Sequence, residues 1–391
     1  MADDRTVVYV GLRRSLLEWS AELDAATRSG AAVQVCSDVD ITHTGLPEGS
    51  ITTFARSGSP ADLAGEIVED LRRAGRTPLA VACWGDRYVP ITAHLASELG
   101  LRGVGLAAAT TCTDKIAQRN ALQSLGLNPG WWAGTTIEEL RSAVDAMELP
   151  LVFKLAHSSG GRGTTLITES TDLDDVLKLT SLNYVASDAF VVEEFVHGTE
   201  HSVSGVVGAG TVKILGVSDK LVRDCGFDTW ATIVPSALTD TQVHQLERAA
   251  EQAVHAVGVE SGGFHVDVRL TDAGPIALEV GARLGGDLIN SHLIPLASDS
   301  RVQPYRALVD VLTTGVLPED ATYVGSAAML VVPASRHPMD EVVDHALAHP
   351  YAHTAVDWST PDSTAVAVVI STAVASDVVG LIEDVQSWMR W

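Results

Sequence analysis

GGFHVDVRLTDAGPIALEVGARLGGD, residues 262–287, is the stretch of sequence that decides the fold. Apolar and polar residues alternate on both sides of a short Asp-Ala-Gly sequence, and this period of two predicts a β-hairpin with one buried face. We expect a three-residue loop in which Gly274 takes the left-handed conformation.

The register of this hairpin determines where its acidic residues lie. Burial of the apolar side chains requires Val268 opposite Leu278, and this pairing sets Asp267 opposite Glu279 on the other face. Opposed carboxylates have Cβ atoms only about 4.5–5.5 Å apart and repel each other. Two solvated acids are one interpretation, but Mg²⁺ bound by carboxylates and substrate phosphates also suits the geometry. Arg283, at the matching parity further along, favours the metal site.

A glycine-rich loop, HSSGGRG at residues 157–163, joins two predicted strands. Its glycines let backbone N–H groups converge on an anion, and its serines and arginine add donors. It is not a P-loop, which needs a GKS/T ending and a following helix. The alternative is a flexible hairpin tip. Lys154, in the apolar strand just before the loop, favours phosphate binding because a buried lysine needs a partner.

A third segment, VVEEFVHGTE at residues 191–200, follows an apolar strand. Backbone groups at such an edge can hydrogen-bond an adenine while aliphatic neighbours cover its faces. The alternative for this segment alone is a strand end that enters a polar loop.

The first hundred residues alternate predicted strands with amphipathic helices, which indicates a doubly wound parallel sheet. We then expect one helix from Thr113, as its cap, to Leu125, ended by Gly126. The last stretch, from about Gly325, is predicted as a further αβ unit with a closing helix.

Composition excludes several classes of function. The net charge of −24 disfavours a nucleic-acid partner, which usually requires a basic surface. No apolar run reaches the length that spans a bilayer, and the acidic N-terminus does not resemble a signal peptide, so we expect a cytoplasmic protein. The four cysteines are scattered, which predicts free thiols rather than a zinc site or disulfides: Cys36, Cys83, Cys112 and Cys225.

Taken together, these segments resemble the ATP-grasp superfamily in their order along roughly residues 75–320. The matching parts are TDK with Lys115, VFK with Lys154, the glycine-rich loop, the VVEEFVHGTE segment and a Glu-x-x-x-Arg unit that ends at Arg283. The hairpin sequence is similar to the branch that contains L-amino-acid ligases, enzymes that join two free amino acids.

The resemblance implies an α/β ATP-grasp fold. It comprises an N-terminal αβ domain at residues 1–110, a lid or small sub-domain at 111–192, a large sub-domain with the metal hairpin at 193–320, and a C-terminal αβ sub-domain at 321–391. A homodimer is expected from the family alone.

The resemblance also implies a role for each site residue. Asp267 and Glu279 would hold Mg²⁺, while Arg283 would bind the substrate carboxylate and acyl phosphate and share the catalytic role with Lys154. Glu193, Glu194 and Val196 would lie at the adenine, with Glu200 near the ribose. The ATP-binding set is, in chain order, Lys115, Lys154, Ser158, Ser159, Gly160, Gly161, Gly163, Glu193, Glu194, Phe195, Val196 and Glu200.

Two residues depart from the family pattern. Asp267 stands where many relatives have glutamate, and Gly281 stands where many have a metal-binding asparagine. One metal contact must therefore come from elsewhere, which leaves the number of magnesium ions open.

The implied activity is ligation of a small carboxylic acid to an amine, with ATP and Mg²⁺ and an acyl phosphate intermediate. Amino acids are the expected substrates, and another acid or amine of specialised metabolism is the near alternative. A non-catalytic ATP-binding scaffold and a bicarbonate-using carboxylase are alternatives from other classes. Retention of both metal acids and the arginine disfavours the scaffold, and the absence of a biotin-carrier motif disfavours the carboxylase. Candidates to line the amine pocket are Trp84, His157, Trp230 and His292.

Overall fold

The computed structural model describes most of the chain, and Cys225 lies outside the described part; the other three cysteines are free thiols. None of the helices in the described residues is long and apolar enough to cross a membrane. The described residues are 5–12, 16–41, 46, 49–55, 57–223, 227, 229–333, 338–358, 364–372 and 378–389.

A four-stranded parallel sheet in the order β3-β2-β1-β4 forms the N-terminal part, as the alternation of strands and helices predicts. The short β3 has no clear pattern in the sequence and is not among the predicted strands. The elements are β1 (Arg5–Val10), α1 (Leu16–Arg28), β2 (Ala32–Ser37), β3 (Ile51–Thr53), α2 (Pro60–Arg73), β4 (Thr77–Cys83) and α3 (Val89–Glu98).

The predicted single helix from Thr113 is wrong at its start. Two helices meet here, α4 (Leu106–Cys112) and α5 (Lys115–Leu122). Thr113 donates its hydroxyl back to Ala109 O and so completes α4. The cap of α5 is Asp114, whose carboxylate accepts from the first backbone N–H groups of the helix. Lys115 is therefore the first residue of α5.

A small antiparallel sheet in the order β5-β8-β6-β7 follows, with two helices packed on it. The strands on either side of the glycine-rich loop are β6 and β7, as predicted, and they pair directly with each other. The elements are β5 (Trp131–Gly134), α6 (Ile137–Ala146), β6 (Leu151–Leu155), β7 (Thr165–Ile167), α7 (Leu173–Lys178) and β8 (Phe190–Glu194).

The largest unit is an eight-stranded sheet in the order β13-β12-β9-β10-β11-β14-β16-β15. The strands after residue 325 continue this sheet through pairing of β14 with β11. The predicted sub-domain boundaries at residues 110, 192 and 320 stay predictions. The elements are β9 (Thr199–Gly208), β10 (Thr211–Val222), β11 (Thr229–Val234), α8 (Asp240–Val257), β12 (Gly262–Thr271), β13 (Gly274–Gly281), α9 (Ile294–Ala297), α10 (Pro304–Thr314), β14 (Ser326–Pro333), α11 (Met339–Leu347), β15 (Ala352–Asp357), β16 (Ala365–Thr372) and α12 (Val378–Trp388).

The hairpin of β12 and β13 has the predicted pairing from Asp267 and Glu279 away from the turn, but not between these residues and the turn. Asp267 lies opposite Glu279, as predicted, but Val268 lies opposite Ala277 instead of Leu278. The turn has two residues rather than three, because Gly274 already pairs with Thr271. The shorter turn shifts the register by one, and a β-bulge then restores it before Glu279.

The bulge changes which side chains of β13 are buried. Ala277 and Val280 are buried against helix α8, whereas Leu278 is only partly buried. On β12 the apolar residues point to the same helix, so the other face of the hairpin is left to polar side chains. That polar face is where the predicted metal carboxylates lie.

Phe264 anchors the hairpin on α8 and is fully buried. We expect Phe264→Ala to lower the free energy of unfolding by about 3–5 kcal/mol, because it removes apolar contacts and leaves a cavity. Leu347→Ala, at a side chain that is 45% exposed, should change it by less than about 0.5 kcal/mol. Urea unfolding followed by circular dichroism measures both, and equal losses would contradict the assigned core.

Candidate active site

Lys115 joins two of the predicted motifs, the glycine-rich loop and the hairpin. Its side chain is 8% exposed, and its ammonium donates to Ser158 O at 2.7 Å and to Glu279 Oε1 at 2.9 Å. The backbone N–H of Lys115 also bonds to Ala156 O, which fixes the start of α5 against the loop. One cation at a helix start thus lies between the glycine-rich loop and the metal hairpin.

A buried group of three charges, the ion triad, comprises Lys154, Glu193 and Arg119. Glu193 accepts from Lys154 Nζ at 2.7 Å and from Arg119 Nε at 2.6 Å, and its side chain is 2% exposed. Burial alone would raise the pKa of this carboxyl, but the two cations outweigh it and lower the pKa to about 2. Burial lowers the pKa of Lys154, and the charge of Arg119 lowers it further against the opposing effect of Glu193.

Asp267 is held by three donors on the polar face of the hairpin. Its Oδ1 accepts from Ser202 at 2.6 Å, and lies 3.1 Å from both Lys220 Nζ and His265 Nε2. Burial would raise the pKa of Asp267, but Lys220, then His265, hold it well below its usual value. Gly285 is required beside this group, because a Cβ there would lie 2.2 Å from His265 Nδ1.

The VVEEFVHGTE segment is tied to the hairpin by a second set of ion pairs. Glu200 lies 3.0 Å from Arg269 and 3.6 Å from Lys220. Arg269 also donates to Val196 O at 2.6 Å and lies over the Phe195 ring at 5.0 Å. These contacts hold the segment against the strand that carries Asp267.

Glu194 lies apart from this group. Its side chain is exposed and accepts from the backbone N–H of Gly130 at 3.0 Å, at the start of edge strand β5. Its carboxylate is therefore already bound to the backbone, whereas its neighbour Glu193 is buried in the ion triad.

Arg283 is paired with a residue that the sequence motifs do not reveal. Its guanidinium contacts the carboxylate of Asp86, which lies just after β4, and donates to Leu284 O at 2.9 Å. Asp86 is 8% exposed. Burial would raise its pKa, but Arg283, then Lys115, outweigh that and keep the pKa below its usual value. A Cβ at Gly281 would lie 3.4 Å from Asp86 Oδ1, so this carboxylate stands beside the position where the resemblance leads us to expect asparagine.

The glycine-rich loop adopts backbone conformations that favour glycine. Gly160, Gly161 and Gly163 have φ angles of +62°, +71° and +66°. Gly160 and Gly161 have open space around an added Cβ, so the conformation rather than packing selects glycine there. Ser159 shares a 2.6 Å hydrogen bond with the Tyr184 hydroxyl, which lies beside the loop.

The carboxylates on the hairpin suit a divalent cation. All three donors to Asp267 contact Oδ1, and Lys115 contacts Oε1 of Glu279, so each carboxylate keeps a second oxygen for a ligand. Within the described ranges, no three His, Cys, Asp or Glu side chains are grouped to hold an ion by themselves. The arrangement therefore suits Mg²⁺ that takes the rest of its ligands from phosphates and water.

The candidate amine-pocket residues lie in different environments. Trp84 is 4% exposed and stacks on Tyr9, so it belongs to the core. Trp230 packs with the C-terminal helices, and His157 binds Thr113 O. His292 is partly buried; burial, then the nearby His353, lower its pKa.

Three site residues escaped the sequence motifs: Asp86, Arg119 and Lys220. Lys220 had one available signal, since it is one of only five lysines. Burial would lower its pKa, but Asp267, Asp287 and Glu200 raise it.

Glu193 should make the folded protein sensitive to acid. Its pKa falls from 4.5 to about 2 on folding, so its contribution is fully present above about pH 4.5 and is lost as the pH falls towards 2. We expect Glu193→Gln to be less stable at pH 7 and to lose less stability between pH 5 and 3. Urea midpoints across this range test it, with the exposed Glu194→Gln as control. Parallel curves for wild type and Glu193→Gln would refute the assignment.

Comparison with known proteins agrees with this geometry. Residues 147–291 match the ATP-grasp domain family, and this stretch includes the loop, the ion triad's Lys154 and Glu193, and the hairpin. Carnosine synthase 1 of Mus musculus is 29% identical over 236 residues, 54% of this chain and 28% of that protein. Alanine–anticapsin ligase of Bacillus subtilis (strain 168) is 27% identical over 230 residues, 53% of this chain and 48% of that protein.

The chain thus spans about half or less of the length of these curated relatives. Among solved structures, an L-amino acid ligase from Bacillus licheniformis has a TM-score of 0.79 at 16% identity, with 98% of this chain and 97% of that chain covered. The fold and the domain match lead to one conclusion: the chain has the ATP-grasp fold, and residues 147–291 match the ATP-grasp domain family.

Proposed function

We propose that the protein is an ATP-dependent carboxylate–amine ligase that activates an amino acid or a close analogue as an acyl phosphate. One observation carries the proposal. The two candidates for phosphate binding, Lys115 and the glycine-rich loop, lie together with Glu279, the candidate metal ligand, and Arg283, the candidate for substrate binding. Lys115 links the glycine-rich loop to Glu279, and Arg283 follows on the same chain segment four residues later. ADP, phosphate and an amide are the proposed products.

ATP-grasp enzymes bind ATP, and the charges of this site support that role here. Lys115 and Lys154 are each paired with a carboxylate. The phosphates of a nucleoside triphosphate carry more negative charge than a carboxylate and accept stronger hydrogen bonds. Both lysines would therefore exchange a carboxylate oxygen for a phosphate oxygen. The glycine-rich loop would add backbone donors, and its closure would exclude water from the reactive intermediate. The part of the VVEEFVHGTE segment after Glu193 would contact the adenosine, with Glu200 near the ribose, while the Glu193 side chain stays buried on Arg119 and Lys154.

Asp267 and Glu279 would hold Mg²⁺, which when bound would neutralise charge on the transferring phosphoryl group. The release of Lys115 from Glu279 to a phosphate would make both oxygens of that carboxylate available. Lys220 and Ser202 would keep Asp267 oriented throughout, because they bind its other oxygen.

The reaction would proceed in two steps. A substrate carboxylate oxygen attacks the γ-phosphorus of ATP, the bond to the bridging oxygen breaks, and ADP leaves. The amine nitrogen then attacks the acyl carbon, loses a proton and expels inorganic phosphate. Arg283 would stabilise the negative oxygen of the tetrahedral intermediate, and no side-chain nucleophile is required.

The pairing of Arg283 with Asp86 supports an amino-acid substrate. A guanidinium and a carboxylate in contact present both charges that a zwitterionic amino acid complements, with its carboxylate on Arg283 and its ammonium on Asp86. The names of the alanine–anticapsin ligase and the L-amino acid ligase support the same substrate class. Another acid or amine of similar charge is the alternative.

The first test is release of ADP and phosphate with Mg-ATP and a panel of single and paired amino acids. We expect release that requires particular amino acids, and a loss of at least about a hundredfold in Glu279→Ala, which removes a proposed ligand of the Mg²⁺ that would neutralise charge at the transferring phosphoryl group. Glu69→Ala, at an exposed carboxylate on α2 that pairs with Arg72, is the matched control. ATP binding without turnover on any acid or amine would favour the scaffold instead.

The role of Asp86 can be tested separately. Asp86→Asn should raise the KM for the amino acid about 10- to 100-fold, since it removes a charge-assisted bond to the ammonium. The KM for ATP should change less than about threefold. Steady-state kinetics with each substrate varied measure both values. An unchanged KM for the amino acid would remove Asp86 from the substrate site.

A further inference from the structure

Arg119 is a buried cation at the junction of three elements. It lies on α5, one helical turn after Lys115, and is 1% exposed. Its guanidinium donates Nε to Glu193 Oε1 at 2.6 Å, Nη1 to Ala277 O at 3.0 Å and Nη2 to Leu278 O at 2.7 Å. It therefore joins α5 to strand β8 and to the bulge of β13, and no other described side chain that donates to Glu193 also binds the hairpin backbone.

The second cation changes what Lys154 can do. In a simple buried pair, a lysine that left its carboxylate would strand a buried, uncompensated charge, which is strongly unfavourable. Here Glu193 retains Arg119 when Lys154 departs. Arg119 also repels Lys154, as does Lys115 on the same helix α5, and both weaken the interaction of Glu193 with Lys154. The lysine is therefore available to an incoming anion.

The remaining donors of Arg119 fix the hairpin. Ala277 and Leu278 are the residues at the β-bulge, immediately before Glu279. Two hydrogen bonds to their carbonyl groups hold the bulge, which in turn sets the direction of the Glu279 side chain towards Lys115.

We propose that Arg119 is a positioning residue that keeps Glu193 compensated while Lys154 moves to a nucleotide phosphate. Its hydrogen bonds to the bulge keep Glu279 aligned at the same time. Arg119 itself touches neither phosphate nor metal. The inference rests on the proposed nucleotide site and adds a residue that makes the lysine exchange possible.

The test is a double-mutant cycle read by binding of Mg-ATP in isothermal titration calorimetry. Arg119→Met leaves Lys154 as the sole partner of Glu193, so we expect ATP affinity to fall about 10- to 100-fold. Removal of the carboxylate charge as well, in R119M/E193Q, frees Lys154 and should restore affinity to within about threefold of wild type. Arg119→Lys, which keeps the charge, should bind ATP far better than Arg119→Met.

The matched control is Arg141→Met, which removes an arginine whose ion pair with Asp174 is exposed, and it should bind ATP as wild type does. A double variant that binds no better than R119M would overturn the proposal, because a purely structural role predicts added damage rather than rescue. If R119M does not fold, Glu193→Gln decides alone: affinity at or above that of wild type supports the proposal, and a loss overturns it. Failure of the wild type to bind ATP would instead refute the proposed function.

Discussion

Compensation of negative charge is the constraint on which the rest of the site depends. Two carboxylates, Asp267 and Glu279, face each other across a hairpin in a chain whose net charge is −24. Each has its own ammonium partner, Lys220 for the first and Lys115 for the second. With Lys154 on Glu193, three of the five lysines of the chain are placed beside these acids. The site is thus a set of ion pairs that the proposed phosphates and divalent cation would exchange.

Much of this arrangement could be predicted because period-two alternation survives in the strands. The pairing of Asp267 with Glu279 followed from the pattern alone. The bulge did not, because Ala277 and Leu278 are both apolar and an inserted residue between apolar neighbours leaves no mark in the alternation. Asp86 could not be found either, since its partner Arg283 is 197 positions away. Asp86 follows a strand of the N-terminal sheet, whereas Arg283 follows a strand of the large sheet. Contacts between distant segments have no local sequence signature.

The glycines of the site divide into two kinds with different mechanical roles. Gly160 and Gly161 have no atom within 4 Å of an added Cβ, so packing does not confine these two positions. Gly285 is the opposite, because the His265 ring fills the space where its side chain would stand. The tip of the glycine-rich loop is therefore open around Gly160 and Gly161, whereas the segment just after β13 is closely packed at Gly285. The proposed closure over a nucleotide and the proposed binding of Mg²⁺ would use both kinds.

The continuation of the large sheet past β11 ties the C-terminal strands to the catalytic half of the protein. Strand β14 forms hydrogen bonds with the N–H and C=O groups on one side of β11. Strand β16 then pairs with β14, and β15 pairs with β16. A chain cut in the segment before Ser326 would leave β11 as an open edge beside the strand that carries Lys220. Open edges of this kind pair with other chains. The C-terminal strands therefore move the edge of the sheet from β11 to β15, away from the strand that carries Lys220.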